Sequence, residues 1–86
     1  MSEDNVIEIG HITHFFSKIN VAVVELTVPM AIGDRLLFKG PTTDFEQMAD
    51  SMQIDRKDIQ RAEAGQSIGL KVQQPVKEKD VVYKKL

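Results

Sequence analysis

Along most of this chain apolar residues recur at every second position, in short runs rich in valine, isoleucine and phenylalanine. A period of two places successive side chains on opposite faces of an extended strand, and branched and aromatic residues suit a pleated, half-buried surface. Val6 to Ser17 reads as a long first strand. Its apolar residues fall on both parities, Ile7 and Ile9 on one and Ile12 and Phe16 on the other. A bulge that switches faces in mid-strand reconciles the two sets. Val21 to Thr27 follows a short turn at Lys18 to Asn20, with Ala22, Val24 and Leu26 on one face, so the two strands are predicted to form a hairpin.

Gly33 and Asp34 mark a turn before a third strand, in which Leu36 and Phe38 point inward and Arg35 and Lys39 point to water. Gly40-Pro41 stops that strand, because proline fixes φ and removes a ladder donor, and the run Gly40 to Asp44 reads as a loop. Phe45 to Ile54 is predicted as one fourth strand, since Met52 and Ile54 alternate with Ser51 and Gln53, although its Glu, Gln, Met and Ala content also permits a helix. Ile59 to Ala62 is a short run, Ala64-Gly65-Gln66 a turn, Ser67 to Val72 a strand with Ile68, Leu70 and Val72 inward, and Val81 to Leu86 the closing strand. Short strands spaced by turn signals predict an all-β fold. A small closed barrel of six or seven strands is expected, because closure removes edges that so short a chain can hardly cover. Residues 6–86 are expected to form this single domain, with Met1 to Asn5 disordered.

At 86 residues one core is expected to use most of the chain, so no attached enzyme domain is expected. There is no cysteine, so a disulfide framework, a thiolate nucleophile and a sulfur-built zinc site are excluded. The start, Met1 to Gly10, is acidic rather than basic and apolar, and no run approaches the roughly 20 apolar residues of a membrane span. A soluble cytoplasmic protein without membrane contact is expected. The formal net charge is −2 and the pI about 5.6, so any binding of a polyanion must use a local patch. Charge is segregated along the chain. From Ser67 onward Lys71, Lys77, Lys79, Lys84 and Lys85 face only Glu78 and Asp80, whereas Thr43 to Glu63 holds more acids than bases.

A nucleotide triphosphatase needs a glycine-rich phosphate cradle ending in Lys and Ser or Thr, and no such run occurs, so no binding of GTP is expected. His11 and His14 are the two histidines. Three residues apart on a strand they point to opposite faces and lack a third ligand, so no metal site is predicted. Thr42, Thr43 and Asp44 sit in a proline-led loop, where such side chains make turn hydrogen bonds more often than they catalyse. No enzyme activity and no cofactor are expected. Gln53-Ile54-Asp55-Arg56-Lys57 remains as the binding candidate, because two cations follow a polar strand end and can meet phosphate while Gln53 hydrogen-bonds a base edge or ribose.

Four segments carry a resemblance: Gly33-Asp34-Arg35-Leu36, Ser51-Met52-Gln53-Ile54, the run from Ala62 through Gly65 and Gly69 to Leu70, and Asp80-Val81-Val82-Tyr83. Taken in order they resemble the β-barrel second domain of translation GTPases such as elongation factor Tu, from about Ile9 to the C-terminus. The segments Gly40-Pro41-Thr42-Thr43-Asp44-Phe45 and Ser51 to Ile54 look closer still to the C-terminal barrel of the collagenase-like peptidase family. The resemblance implies a barrel of the translation-protein type, and it matches Gln53 and Arg56 to residues that meet the terminal nucleotide of aminoacyl-tRNA. Gln53 stands where that pattern has an acid, and Gln66 likewise follows Gly65 in place of one. Gly65 and Gly69 are expected to serve a tight turn and a close approach. The leading expectation is therefore a non-catalytic module that binds RNA, such as tRNA, or a translation-related ribonucleoprotein, through Gln53, Arg56, Lys57, Lys84 and Lys85. The alternative is a protein-docking module for a separately encoded partner such as a collagenase-like peptidase, which the negative net charge favours. Phe15, Phe16, Phe38, Phe45 and Tyr83 are expected mostly in the core, which leaves little aromatic surface for base stacking.

Overall fold

The alternating runs become ten short strands in a computed structural model that describes residues 5–86. They are β1 (Val6–Phe16), β2 (Val21–Leu26), β3 (Met30–Ala31), β4 (Arg35–Lys39), β5 (Asp44–Met48), β6 (Met52–Ile54), β7 (Lys57–Ile59), β8 (Arg61–Ala62), β9 (Ser67–Lys71) and β10 (Val81–Lys85). Eight join in one antiparallel sheet in the order β5-β4-β10-β1-β2-β9-β6-β7, while β3 and β8 pair separately. Of the segment expected to be disordered, residues 1–4 lie outside the described residues. Asn5 accepts the Leu86 N–H at 2.8 Å and so extends the β1–β10 pairing. Among the described residues no helix is long and apolar enough to cross a membrane.

The predicted hairpin of β1 and β2 forms, and β1 carries two register shifts rather than one. The first, between Glu8 and Gly10, faces β10; the second, between Ile12 and His14, faces β2. Each extra residue flips the faces that follow it. Ile9 and Ile12 therefore both point into the core, at 0% and 1% exposure, while Phe15 packs on the core and Phe16 turns outward. The expected inward parity of Phe16 is corrected by that second shift. In β4 the alternation is as read: Leu36 and Phe38 are fully buried and Arg35 and Lys39 are exposed. Phe38 stacks on its cross-strand partner Phe45 with ring centroids 4.7 Å apart. Across the sheet these side chains meet Val24, Leu70 and Val82 in one core.

The expectation of a closed barrel of six or seven strands is corrected in two respects. The predicted strand from Phe45 to Ile54 breaks into β5 and β6, because Ala49 leaves the sheet to exchange hydrogen bonds with the Gly33-Asp34 turn, at 2.9 Å and 2.8 Å. β5 and β7 end the sheet with their outer edges unpaired, so it is not closed, and β5 has no strand ladder to β9. A side chain spans the seam instead. Gln47, 5% exposed, donates from Nε2 to the Lys71 carbonyl at 2.9 Å and accepts the Gln73 N–H at Oε1 at 2.8 Å. The two-residue strands β3 and β8 are too short to show a period, so the sequence does not disclose their pairing.

The outer face around β4, β5 and β10 is closed by ion pairs. Arg35 meets Glu46 at 2.9 Å, Lys39 meets Asp44 at 2.6 Å, and Lys85 approaches Glu46 at 3.7 Å. The Arg35 hydrogen bond, followed by the charge of Lys85, holds the Glu46 carboxyl below its ordinary range. A depressed carboxylate adds stability above its unfolded pKa and loses it as pH falls through the folded value. Arg35→Ala is therefore expected to raise the Glu46 titration midpoint followed by NMR. The stability gap between parent and variant should shrink toward acid pH, and the gap is small throughout because solvent screens the pair. A Glu46 midpoint unchanged in the variant would contradict this assignment.

Candidate functional site

Ile54 and Lys57 are the last cross-strand pair of β6 and β7, so Asp55 and Arg56 alone make the turn between them. Both lie in the left-handed region, with φ of 53° and 66°. Two-residue hairpin turns demand this conformation and usually meet it with Asn-Gly, whereas each residue bearing a Cβ is held there at a cost of about 1–2 kcal/mol. Beside the turn, Gln53 donates from Nε2 to Oδ1 of its cross-strand neighbour Asp58 at 3.0 Å.

On the other side of β6 lies β9, where Gly69 pairs with Gln53 of β6 and with Val23 of β2. Because Gly69 has no side chain, the sheet surface is lowest there, and a groove of about 480 Å³ opens over it. Its walls include Phe16, Ile19, Val21, Ile54, Gln53 and Arg56. A Cβ at Gly69 would lie 3.3 Å from a Val21 methyl and 3.8 Å from the Gln53 carbonyl, a tight but accommodating space. The expected close approach is thus made by a side chain rather than by backbone, while the tight turn falls at Gly65, with φ of 89°. The hairpin tip beyond β1 adds a second apolar hollow of about 420 Å³ along Phe15 to Ile19. Phe16 is 46% and Ile19 57% exposed, high values for side chains of their size and polarity.

The fold therefore brings Gln53 and Arg56 to one groove and keeps the other predicted residues out of it. Lys57 sits across from Ile54 on the free side of the β6–β7 hairpin. Lys84 and Lys85 belong to β10, which β1, β2 and β9 separate from β6 in the sheet. Lys84 Nζ is 3.7 Å from Asp34, and Lys85 is held by Glu46. Phe16, Ile19, Val21, Val23 and Gly69 are among the groove residues that sequence reasoning did not assign. A usable signal existed at the tip, where Ile19 stands between Lys18 and Asn20 in a turn that has no core to fill.

His11 faces Glu25 at 3.4 Å and His14 faces Glu78 at 3.7 Å, and no three of His, Cys, Asp and Glu converge as a metal site among the described residues. Thr43 spends its hydroxyl on Asp80 and Asp44 its carboxylate on Lys39, both structural partnerships.

No family model matches the chain. An uncharacterized protease of Methanocaldococcus jannaschii is 42% identical over 78 residues, which cover 90% of this chain and 19% of that protein. The chain thus spans about a fifth of the length of the curated relative it matches. Among solved structures, the C-terminal domain of a Geobacillus thermoleovorans protein described as a U32 peptidase superposes with a TM-score of 0.84 at 20% identity, covering 91% of both chains. The selenomethionine variant of that domain gives a TM-score of 0.83 at 19% identity, covering 88% of this chain and 96% of the other. The small all-β fold is therefore one seen in a peptidase C-terminal domain. These relatives match the peptidase side of the sequence resemblance and lend nothing to its translation-factor side.

Proposed function

We propose that the chain is a non-catalytic accessory module that docks onto a peptidase-type protein, using the apolar face formed by the β1–β2 hairpin tip and the groove over Gly69. The observation that carries this reading is the 42% identity over nine-tenths of the chain to one-fifth of a much longer protease. A unit that recurs as a fraction of a larger protein works against the rest of it, and contact between such units needs an apolar centre of this kind. Phe16 and Ile19 supply that centre, because burying a large exposed apolar side chain contributes roughly 1.5–3 kcal/mol.

The test is calorimetry with a U32-type peptidase from which its own C-terminal domain has been deleted. One-to-one binding is expected. Phe16→Ser combined with Ile19→Ser should weaken it by at least about a hundredfold, since two such side chains lose some ~3 kcal/mol or more. Absence of binding by the parent would refute the reading.

One observation favours a second reading, RNA binding: Phe16, expected in the core, is instead exposed in the same groove as Gln53 and Arg56. An aromatic face, an amide and a guanidinium are the parts that grip an unstacked base and its phosphate. If RNA binds there, log affinity against log salt should have a slope of about −0.7 per phosphate contact, and Arg56→Ala should remove one such step.

A further inference from the structure

The cations of this molecule divide into two populations. Arg35, Lys39, Arg61, Lys84 and Lys85 each lie 2.6–3.7 Å from a carboxylate. Among the described residues Lys18, Arg56, Lys57, Lys71, Lys77 and Lys79 have no such partner, and three of these, Lys18, Arg56 and Lys71, border the same apolar face. Lys18 is in the hairpin tip with Phe16 and Ile19, Arg56 is in the groove wall, and Lys71 is the cross-strand partner of Val21. One acid of the groove, Asp55, stands against them. A protein of net charge −2 thus has a positively edged apolar groove.

We infer that this groove receives an extended segment of the docking partner in which apolar side chains are flanked by carboxylates; the inference rests on the docking reading and names the chemistry of the partner. Three observations converge on it. The free cations complement acidic flanks and would repel basic ones. Six apolar side chains, Phe16, Ile19, Val21, Val23, Ile54 and Ile68, line it, and the volume of about 480 Å³ suits a few side chains rather than a folded surface. Arg56 occupies a left-handed turn position where glycine would sit without strain, and strain of this kind concentrates where a side chain has a task. The segment lies across the outer face by side-chain contact, because β2, β9 and β6 are each already paired on both edges. A second copy of this chain is the wrong occupant, since two such grooves face to face would oppose their lysines and arginines.

The test uses the full chain with a short fluorescein-labelled peptide holding leucine and phenylalanine between glutamates, and a counterpart with lysines in place of the glutamates. Fluorescence anisotropy should show the acidic peptide binding at least about tenfold more tightly, as expected from two or three weak ion pairs acting together. Arg56→Glu with Lys71→Glu, both exposed sites, should reverse the preference. Arg56→Gly is the sharper variant. It should weaken the acidic peptide while raising the melting temperature by roughly 4–8 °C, because glycine relieves the turn. A merely structural Arg56 would not give the first effect. Equal binding of both peptides overturns the inference, as does stronger displacement by a single-stranded oligoribonucleotide than by unlabelled acidic peptide. Concentration-dependent dimerisation abolished by the same double variant overturns it as well. If the truncated peptidase binds parent and double variant equally, docking stands and the groove assignment fails. If it binds neither while the peptide preference persists, the groove assignment stands and docking onto that peptidase fails.

Discussion

Replacing Gln47 by leucine is expected to lower the unfolding free energy by about 2–4 kcal/mol, a large effect for a chain of this size. The expectation follows from where the amide sits. Gln47 is buried at the open seam, and its hydrogen bonds to the Lys71 carbonyl and from the Gln73 N–H tie β5 to the end of β9, where no strand ladder joins them. Leucine fills similar space but leaves a carbonyl and an N–H without partners, each at about 1–3 kcal/mol, against a gain of about a third as much from the added apolar surface. Gln47→Glu separates the two bonds, since a carboxylate still accepts from Gln73 but presents no donor to Lys71. Urea melts give the magnitude. Amide exchange gives the location, because the Gln73 N–H should lose protection first if the seam opens locally. A leucine variant within about 0.5 kcal/mol of the parent would mean that the seam is held by packing alone.

That seam also marks where the sequence stops being informative. The alternation in Arg35 to Lys39 determines its strand fully, because one face meets the core and the other meets water, and each side chain reports its own environment. Closure is a different kind of property. Where β5 ends depends on the Ala49 backbone bonding to the turn that leads into β4, which no local period encodes. Phe16 failed for a related reason: its direction depends on how many bulges precede it, and a second bulge reverses the parity count. At the site, Arg56 was legible because cations after a polar strand end have a direct chemical meaning. Lys84 and Lys85 looked equivalent by composition, yet the sheet order gives them acidic neighbours that are far away in sequence, Asp34 and Glu46. Gly69 was read as structural because glycine signals an absence, and an absence becomes a groove floor only once Val21, Val23 and Gln53 stand around it.

Asp80→Ala is expected to cost a further about 3–5 kcal/mol on the same scale, the largest loss of any polar substitution here. Asp80 is 1% exposed and joins three parts of the fold. Its Oδ2 accepts the hydroxyl of Thr43, itself buried, and the Lys77 N–H at 2.9 Å. Its main-chain carbonyl accepts the Ile12 N–H at 2.8 Å, which pins the start of β10 onto β1. The carboxyl also occupies the space over Gly40, where any side chain would overlap it, so the β4–β5 loop is shaped around this one group. Alanine strands two donors at once and opens a void beside them. An asparagine amide would still offer one oxygen, so Asp80→Asn should lose distinctly less than alanine, and Thr43→Val, which removes a donor with its acceptor left in place, should fall between. The groove over Gly69 lies on other strands, so an Asp80→Asn variant that remains folded should bind the acidic peptide with unchanged affinity. Thermal and urea denaturation of the three variants give the order. An alanine variant as stable as the asparagine one would show that the buried hydrogen bonds are dispensable and that Val72, Val76 and the rest of the apolar core hold the connection to β10 without them.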